Sequence, residues 1–181
     1  MPLPARMKPV RASRMKIKAL AEKADEILTM IDTGSDENDE TLNAFIAEWN
    51  SQVPNPYAYS NFRDFSSWTS AKQFTKIAFN QEKFYEDLTW EELVQLITFI
   101  YQAEGSEADV DFALRLLEKN FTANPSDLMF WPNEWFKDET NLHISLSAEE
   151  MGGYLMAASN RYVAGAPEIE LKYSLPVGGW D

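Results

Sequence analysis

Carboxylates are the commonest reactive side chains in this sequence, with 29 Asp and Glu against 16 Lys and Arg. Two adjacent pairs, Glu91/Glu92 and Glu149/Glu150, have the chemistry for general acid–base work if a cleft gathers them. Each pair also completes a four-residue pattern, Thr89 with Glu92 and Ser147 with Glu150. There the hydroxyl accepts from the backbone N–H three residues on, and the glutamate reaches back to the first N–H. A helix start therefore accounts for both pairs without catalysis. Asp32, Asp36, Asp39 and Glu40 have the ligand type of a calcium loop. Their spacing does not fit an EF-hand, because Gly34 comes too early and the ligand order is wrong. Negative charge at the start of a helix accounts for them better.

The absent groups exclude more. Without cysteine there is no disulfide, no thiolate chemistry and no cysteine-held zinc or iron–sulfur site. His143 is the only histidine, which removes metal sites and relays built on several histidines of one chain. A Ser–His–Asp arrangement would have to use His143, and no serine sits in a nucleophile elbow. Neither glycine-rich phosphate loop occurs. Asn120-Phe121-Thr122 matches the glycosylation pattern, but Phe121 falls on an apolar helix face. The expectation is no catalytic residue, no metal ligand and no cofactor, hence a protein that is not an enzyme.

Recognition is the chemistry that remains. The aromatic stretches 57–68 and 128–136 carry rings that give contact area at low entropic cost. Trp131 and Trp135 flank a proline and stand near the acids Glu134, Asp138 and Glu139. Asp36, Glu37, Asp39 and Glu40 form a second acidic stretch. These nine residues are the candidate partner contacts.

Helices must position them. The organising element starts at Thr89, and Leu93, Leu96, Ile97 and Ile100 share one face of it. Val94, Phe99 and Tyr101 widen the stripe, so this helix should be covered on several sides. Before it, Ser13 can cap a helix to about Met30, with Ile17, Leu20, Ala24, Ile27, Leu28 and Ile31 in line. Gly34 ends it, and a second helix follows with Leu42, Phe45, Ile46 and Trp49. The stretch 57–65 reads as an ordered loop pinned by its rings. A third helix then runs through Phe74, Ile77, Ala78 and Phe79. Ser106 caps a fifth, with Val110, Ala113, Leu114, Leu117 and Phe121 inward. The stretch 128–136 reads as an aromatic turn. Ser147 starts a last helix through Tyr154, Leu155 and Ala158. Its Gly152-Gly153 costs about 1 kcal/mol per glycine relative to alanine, which suggests a ring or backbone packed closely there. Leu142, Ile144 and Leu146 alternate with polar residues, as do Ile169, Leu171 and Tyr173, so the two could pair as strands. The tail is loose unless Trp180 docks. The fold class is mainly α: a single-domain bundle of about six helices over residues 13–181, with a short two-stranded β element near the C-terminus.

Net charge is −13, but residues 1–23 hold seven basic side chains against one acid. Residues 1–12 therefore read as a flexible basic arm on a strongly acidic body. Such a body repels nucleic-acid phosphates and attracts basic proteins. No run approaches the roughly 20 apolar residues of a membrane helix. The basic N-terminus lacks the apolar core of a secretory signal. The expected setting is the cytoplasm, with a protein partner and neither nucleic acid nor membrane.

In general character the chain resembles bacterial immunity proteins of polymorphic and contact-dependent toxins. The resemblance rests on a small, acidic, cysteine-free, mostly helical body with acid-and-aromatic stretches at 35–40 and 131–139; it is of type, not of motif. It implies an inhibitory module that neutralises a basic, nuclease-type toxin by direct binding. Two alternatives make different demands. A carboxylate- or metal-dependent enzyme needs acids converging in one pocket with raised pKa values. A nucleic-acid mimic of anti-restriction type needs carboxylates spaced like duplex phosphates. A subunit of a larger assembly is the remaining class, suggested by the surplus of rings.

Overall fold

Ser13 decides where the first long helix begins. Its hydroxyl accepts from the Lys16 N–H at 3.1 Å, and α1 runs Arg14–Asp32. The computed structural model describes residues 2–80 and 82–178. Among these are nine α-helices, three short 3-10 turns and no strand. The mainly helical class read from the sequence is what the chain adopts. The helices fall into two compact units, Pro9–Gln81 and the discontinuous pair Met1–Lys8 with Glu82–Asp181. Each unit has its own apolar core.

In the smaller unit, α1 is followed by α2 (Glu40–Asn50), α3 (Tyr59–Asp64), a 3-10 turn at Phe65–Ser67 and α4 (Ala71–Phe79). Ile17, Leu20, Ala24 and Ile27 bury the expected face of α1, and Leu42, Ile46 and Trp49 that of α2. Phe45 does not join them; it is 44% exposed. Trp49 ties the hairpin together by donating from Nε1 to the Leu20 carbonyl at 2.8 Å. Phe62, Phe65 and Phe74 complete the core, with the Tyr57 ring stacked 4.0 Å from that of Phe74. The stretch 57–68 is thus largely interior packing. Of its rings, Trp68 is the large exposed one.

The larger unit is organised on α5 (Trp90–Tyr101), whose Leu93, Leu96, Ile97, Phe99 and Ile100 are buried. Thr89 and Glu92 make both bonds of the expected capping box. Helix α5 packs against α6 (Glu107–Asn120) and α9 (Ala148–Ser159). Between these lie α7 (Pro125–Phe130), α8 (Pro132–Phe136) and a 3-10 turn at Glu139–Asn141. In α6 the buried stripe is Phe112, Ala113, Leu116, Leu117 and Asn120. Val110 and Leu114, expected inward, flank it and are only partly buried.

Three expectations are corrected here. About six helices become nine, because α3, α7 and α8 sit in stretches read as loop or turn. Each has six residues or fewer, too short for a 3.6-residue period to show. The β element near the C-terminus does not form among the described residues; one isolated bridge joins Thr89 to Ala164. The alternating residues 169–173 lie against a helix instead: Ile169 packs over Gly153, and the Tyr173 N–H donates to the Tyr154 hydroxyl at 2.7 Å. Alternation makes any extended segment two-faced, whatever covers it. The basic arm is also not free at its start. Leu3 and Met7 are buried in the core of the larger unit, around a 3-10 turn at Ala5–Met7. Trp180 lies outside the described residues. No helix among them is long and apolar enough to cross a membrane.

Candidate functional site

The predicted contact residues divide between the two units. In the smaller one, Asp36 accepts from the Asn38 N–H at 2.9 Å, an Asx turn. Asp39 caps α2 by accepting from the Leu42 N–H at 3.0 Å. Glu37 and Glu40 are exposed. The acids therefore build the turn and the helix start, and two remain turned to solvent. Sequence reasoning missed what Glu40 stands beside. With Thr41, Ala44, Phe45 and Glu48 it lines a shallow hollow of about 340 Å³ on the outer face of α2. Spacing gave no signal of this, because Phe45 stands three residues from Leu42 and four from Trp49, as an inward residue would.

In the larger unit the stretch 128–136 is a corner between two short helices. Asn124 takes the left-handed conformation (φ 53°), one that asparagine tolerates, and caps α7. Pro125 and Pro132 each occupy a first helical turn, where the missing N–H costs nothing. Trp131 joins the helices, and its backbone is committed on both sides. Its N–H donates to the Asp127 carbonyl at 2.8 Å, and its carbonyl accepts from the N–H groups of Glu134 and Trp135 at 2.9 and 3.1 Å. The indole, by contrast, is 57% exposed, with the preceding Phe130 at 44%. The corner therefore holds one large ring out in water on a fixed base.

Trp135 is removed from the candidate contacts. It is fully buried, its Nε1 donates to the Ala123 carbonyl at 2.6 Å, and its ring meets Phe136 and Tyr154 edge-on. Trp131 lies exposed at the junction of α7 and α8, and one helical turn further on Trp135 is buried. Glu134 and Glu139 are exposed. Asp138 accepts from the Thr140 N–H and hydroxyl at 3.0 and 2.6 Å, which holds its carboxyl below the usual range. It starts the 3-10 turn while keeping its charge. Beneath the corner, Asn133 is buried, and its Oδ1 has no hydrogen-bond partner among the described residues.

The second member of each carboxylate pair serves structure, and the first, Glu91 or Glu149, is exposed. Glu92 caps α5 and receives two bonds from Arg6, at 2.7 and 2.8 Å; that guanidinium chiefly holds its pKa below the ordinary value. Glu150 caps α9 and sits 3.6 Å from Lys172; the Ser147 backbone bond is the main cause of its lowered pKa. Both shifts favour the ionised form, opposite to what a general acid requires. His143 is exposed. Asn120, of the glycosylation-like triplet, is buried and bonded to the backbone of Lys83, Tyr85 and Leu116. Among the described residues, no group of three or more His, Asp or Glu gathers as metal ligands would. No family model, curated protein or solved structure matches the chain.

Proposed function

We propose that the chain is a protein-binding inhibitor of the immunity-protein type, which neutralises a basic partner by direct contact through the corner at Trp131. The observation that carries the reading is this exposed indole on a backbone bonded at both sides. A backbone held before binding needs no ordering on contact, and tryptophan is among the residues most enriched at interface hot spots. Its setting supplies the charge. The larger unit holds 19 acidic and 8 basic residues, a net of −11, whereas the smaller has 10 and 8. Carboxylates such as Glu134 and Glu139 steer a basic partner in, and the rings hold it once docked. The chain has no cysteine, which suits the reducing cytoplasm.

The test is capture from extract of the native host, using the intact protein and its Trp131→Ala variant. A basic protein should be retained by the first and at least tenfold less by the second. It should be toxic when expressed alone and tolerated with the wild-type chain. Retention of no basic protein at low or high salt removes the proposal. So does equal retention by the variant.

A further inference from the structure

The smaller unit has a second surface, of opposite sign. A groove of about 860 Å³ runs between α1 and α4. Helix α4 runs back along α1. At one end Val10 and Asn80 exchange two hydrogen bonds, at 2.6 and 2.8 Å, and Lys16 lies over the Phe79 ring. That direction sorts the lining. Arg14, Lys18 and Lys76 fall at one end, and Glu22, Asp25 and Lys72 at the other. All four cations are exposed, and none makes an ion pair among the described residues. Ile17, Ala21 and Ala71 supply an apolar floor with room above it.

We infer that this groove is a docking site for an acidic, amphipathic segment of a protein partner. Arg14 and Lys18 are four residues apart on α1, as are Lys72 and Lys76 on α4. Residues at that spacing stand one above the other on a helix face. Two such columns match carboxylates repeated along one side of a peptide. The small floor residues leave space for its apolar side chains, as in helix-in-groove recognition. The stretch of α1 from Arg14 to Asp25 spans about 16 Å at the helical rise, room for two to three turns of a bound helix. Glu22 and Asp25 set the direction: the bound segment carries its acids toward Arg14 and a basic residue toward Asp25. The same carboxylates count against a nucleic acid. They repel phosphates, and no aromatic lines the groove for a base to stack on.

The experiment is selection of a random 12-residue phage-displayed library on the full chain, in parallel with Lys18→Glu/Lys76→Glu and Ala21→Trp variants. Both alter exposed or half-buried positions, and a circular dichroism melt confirms that each folds. Clones enriched on wild type should be net acidic with alternating apolar positions. Their synthetic peptides should bind at least tenfold more weakly to both variants, one through lost charge and one through a filled floor. No enrichment, enrichment without acidic bias, or peptides that bind the variants equally would overturn the inference. A fluorescent single-stranded oligonucleotide is the competing probe. If it binds more tightly than the peptides and is lost in the same variants, the groove is a nucleic-acid site instead. Trp131 is untouched throughout, so failure here leaves the proposed inhibitor function standing.

Discussion

Arg6 shows how one side chain can settle a chain terminus. Its guanidinium grips Glu92 through two nitrogens and Asp87 through a third, at 2.7–2.9 Å, while lying 4.5 Å from the centre of the Tyr85 ring. With a guanidinium more than a third exposed, screening reduces the Arg6–Glu92 pair to about 1 kcal/mol. Arg6→Ala should lower stability by about that amount at neutral pH. Glu92 is held below its ordinary pKa, chiefly by Arg6. Its contribution is therefore present above the unfolded value and lost as pH falls through the folded one. Wild type and variant should converge in acid. Urea melts between pH 7 and 3 would check this, and a gap that persists at the acid end counts against it. Tyr57 gives the opposite case. Burial raises its pKa to about 12, and its hydroxyl donates to the Phe74 carbonyl at 2.8 Å. A raised folded value means stability that is full below the unfolded pKa of 10.0 and declines as pH climbs toward 12. Tyr57→Phe should cost about 1 kcal/mol at pH 7 and flatten that alkaline decline. Absorbance titration of the tyrosinates, with melts at pH 9 to 11.5, reads both effects.

At the scale of elements, helix starts were the most legible feature. Ser13, Thr89, Ser106 and Ser147 all cap where the sequence placed them, because a cap is a local bond set by residues three apart. Helix α9 was legible in a subtler way. Its paired glycines suggested a close neighbour. A methyl at Gly152 would come 2.9 Å from the Trp90 ring, and one at Gly153 would come 2.7 Å from Ile169. Gly153→Ala gains about 1 kcal/mol of helix propensity but incurs overpacking of about 1–3 kcal/mol against Ile169. The expected result is a net loss near 1 kcal/mol, with the 169–173 segment shifted and its amide exchange faster. Unchanged exchange at Tyr173, whose N–H is held by the Tyr154 hydroxyl, would show that the segment does not lean on this glycine. Other features were not local and could not be read. Trp131 and Trp135 look alike in sequence, and only the junction between two proline-started helices leaves one exposed while the other enters the core. The rings of 57–68 looked available for contact because the chain from α1 to α4 that encloses them is not visible in the stretch itself.

Across the whole molecule, the order of the chain and the order of its cores differ. Residues 2–8 open the chain, yet their buried side chains, Leu3 and Met7, belong to the same core as Leu96 and Leu155. The next 73 residues form the other unit. Charge hid this arrangement. A run of basic residues with three prolines reads as an arm, because its two anchoring apolar residues are too few to establish a period and their core partners lie more than 80 positions away. The split of charge was hidden too, since a net of −13 does not reveal that −11 of it belongs to one unit. The discontinuity makes a prediction that proximity in sequence would not. Removing residues 2–8 strips two buried side chains, each worth about 1.5–3 kcal/mol, from the larger unit. Hydrogen exchange should therefore accelerate in α5 and α9, far along the chain. Protection in α1 and α2 should persist, because Leu20, Ile27, Leu42 and Trp49 keep every partner in their own core. The opposite pattern, with α1 losing protection and α5 keeping it, would mean that the first residues serve the helix they precede. Loss of about 3 kcal/mol or more is a large share of the 5–15 kcal/mol that stabilises a typical domain. The truncated chain should thus show its larger unit opening at much lower urea than the smaller one, whereas Arg6→Ala, which keeps Leu3 and Met7 in place, should move that transition only slightly.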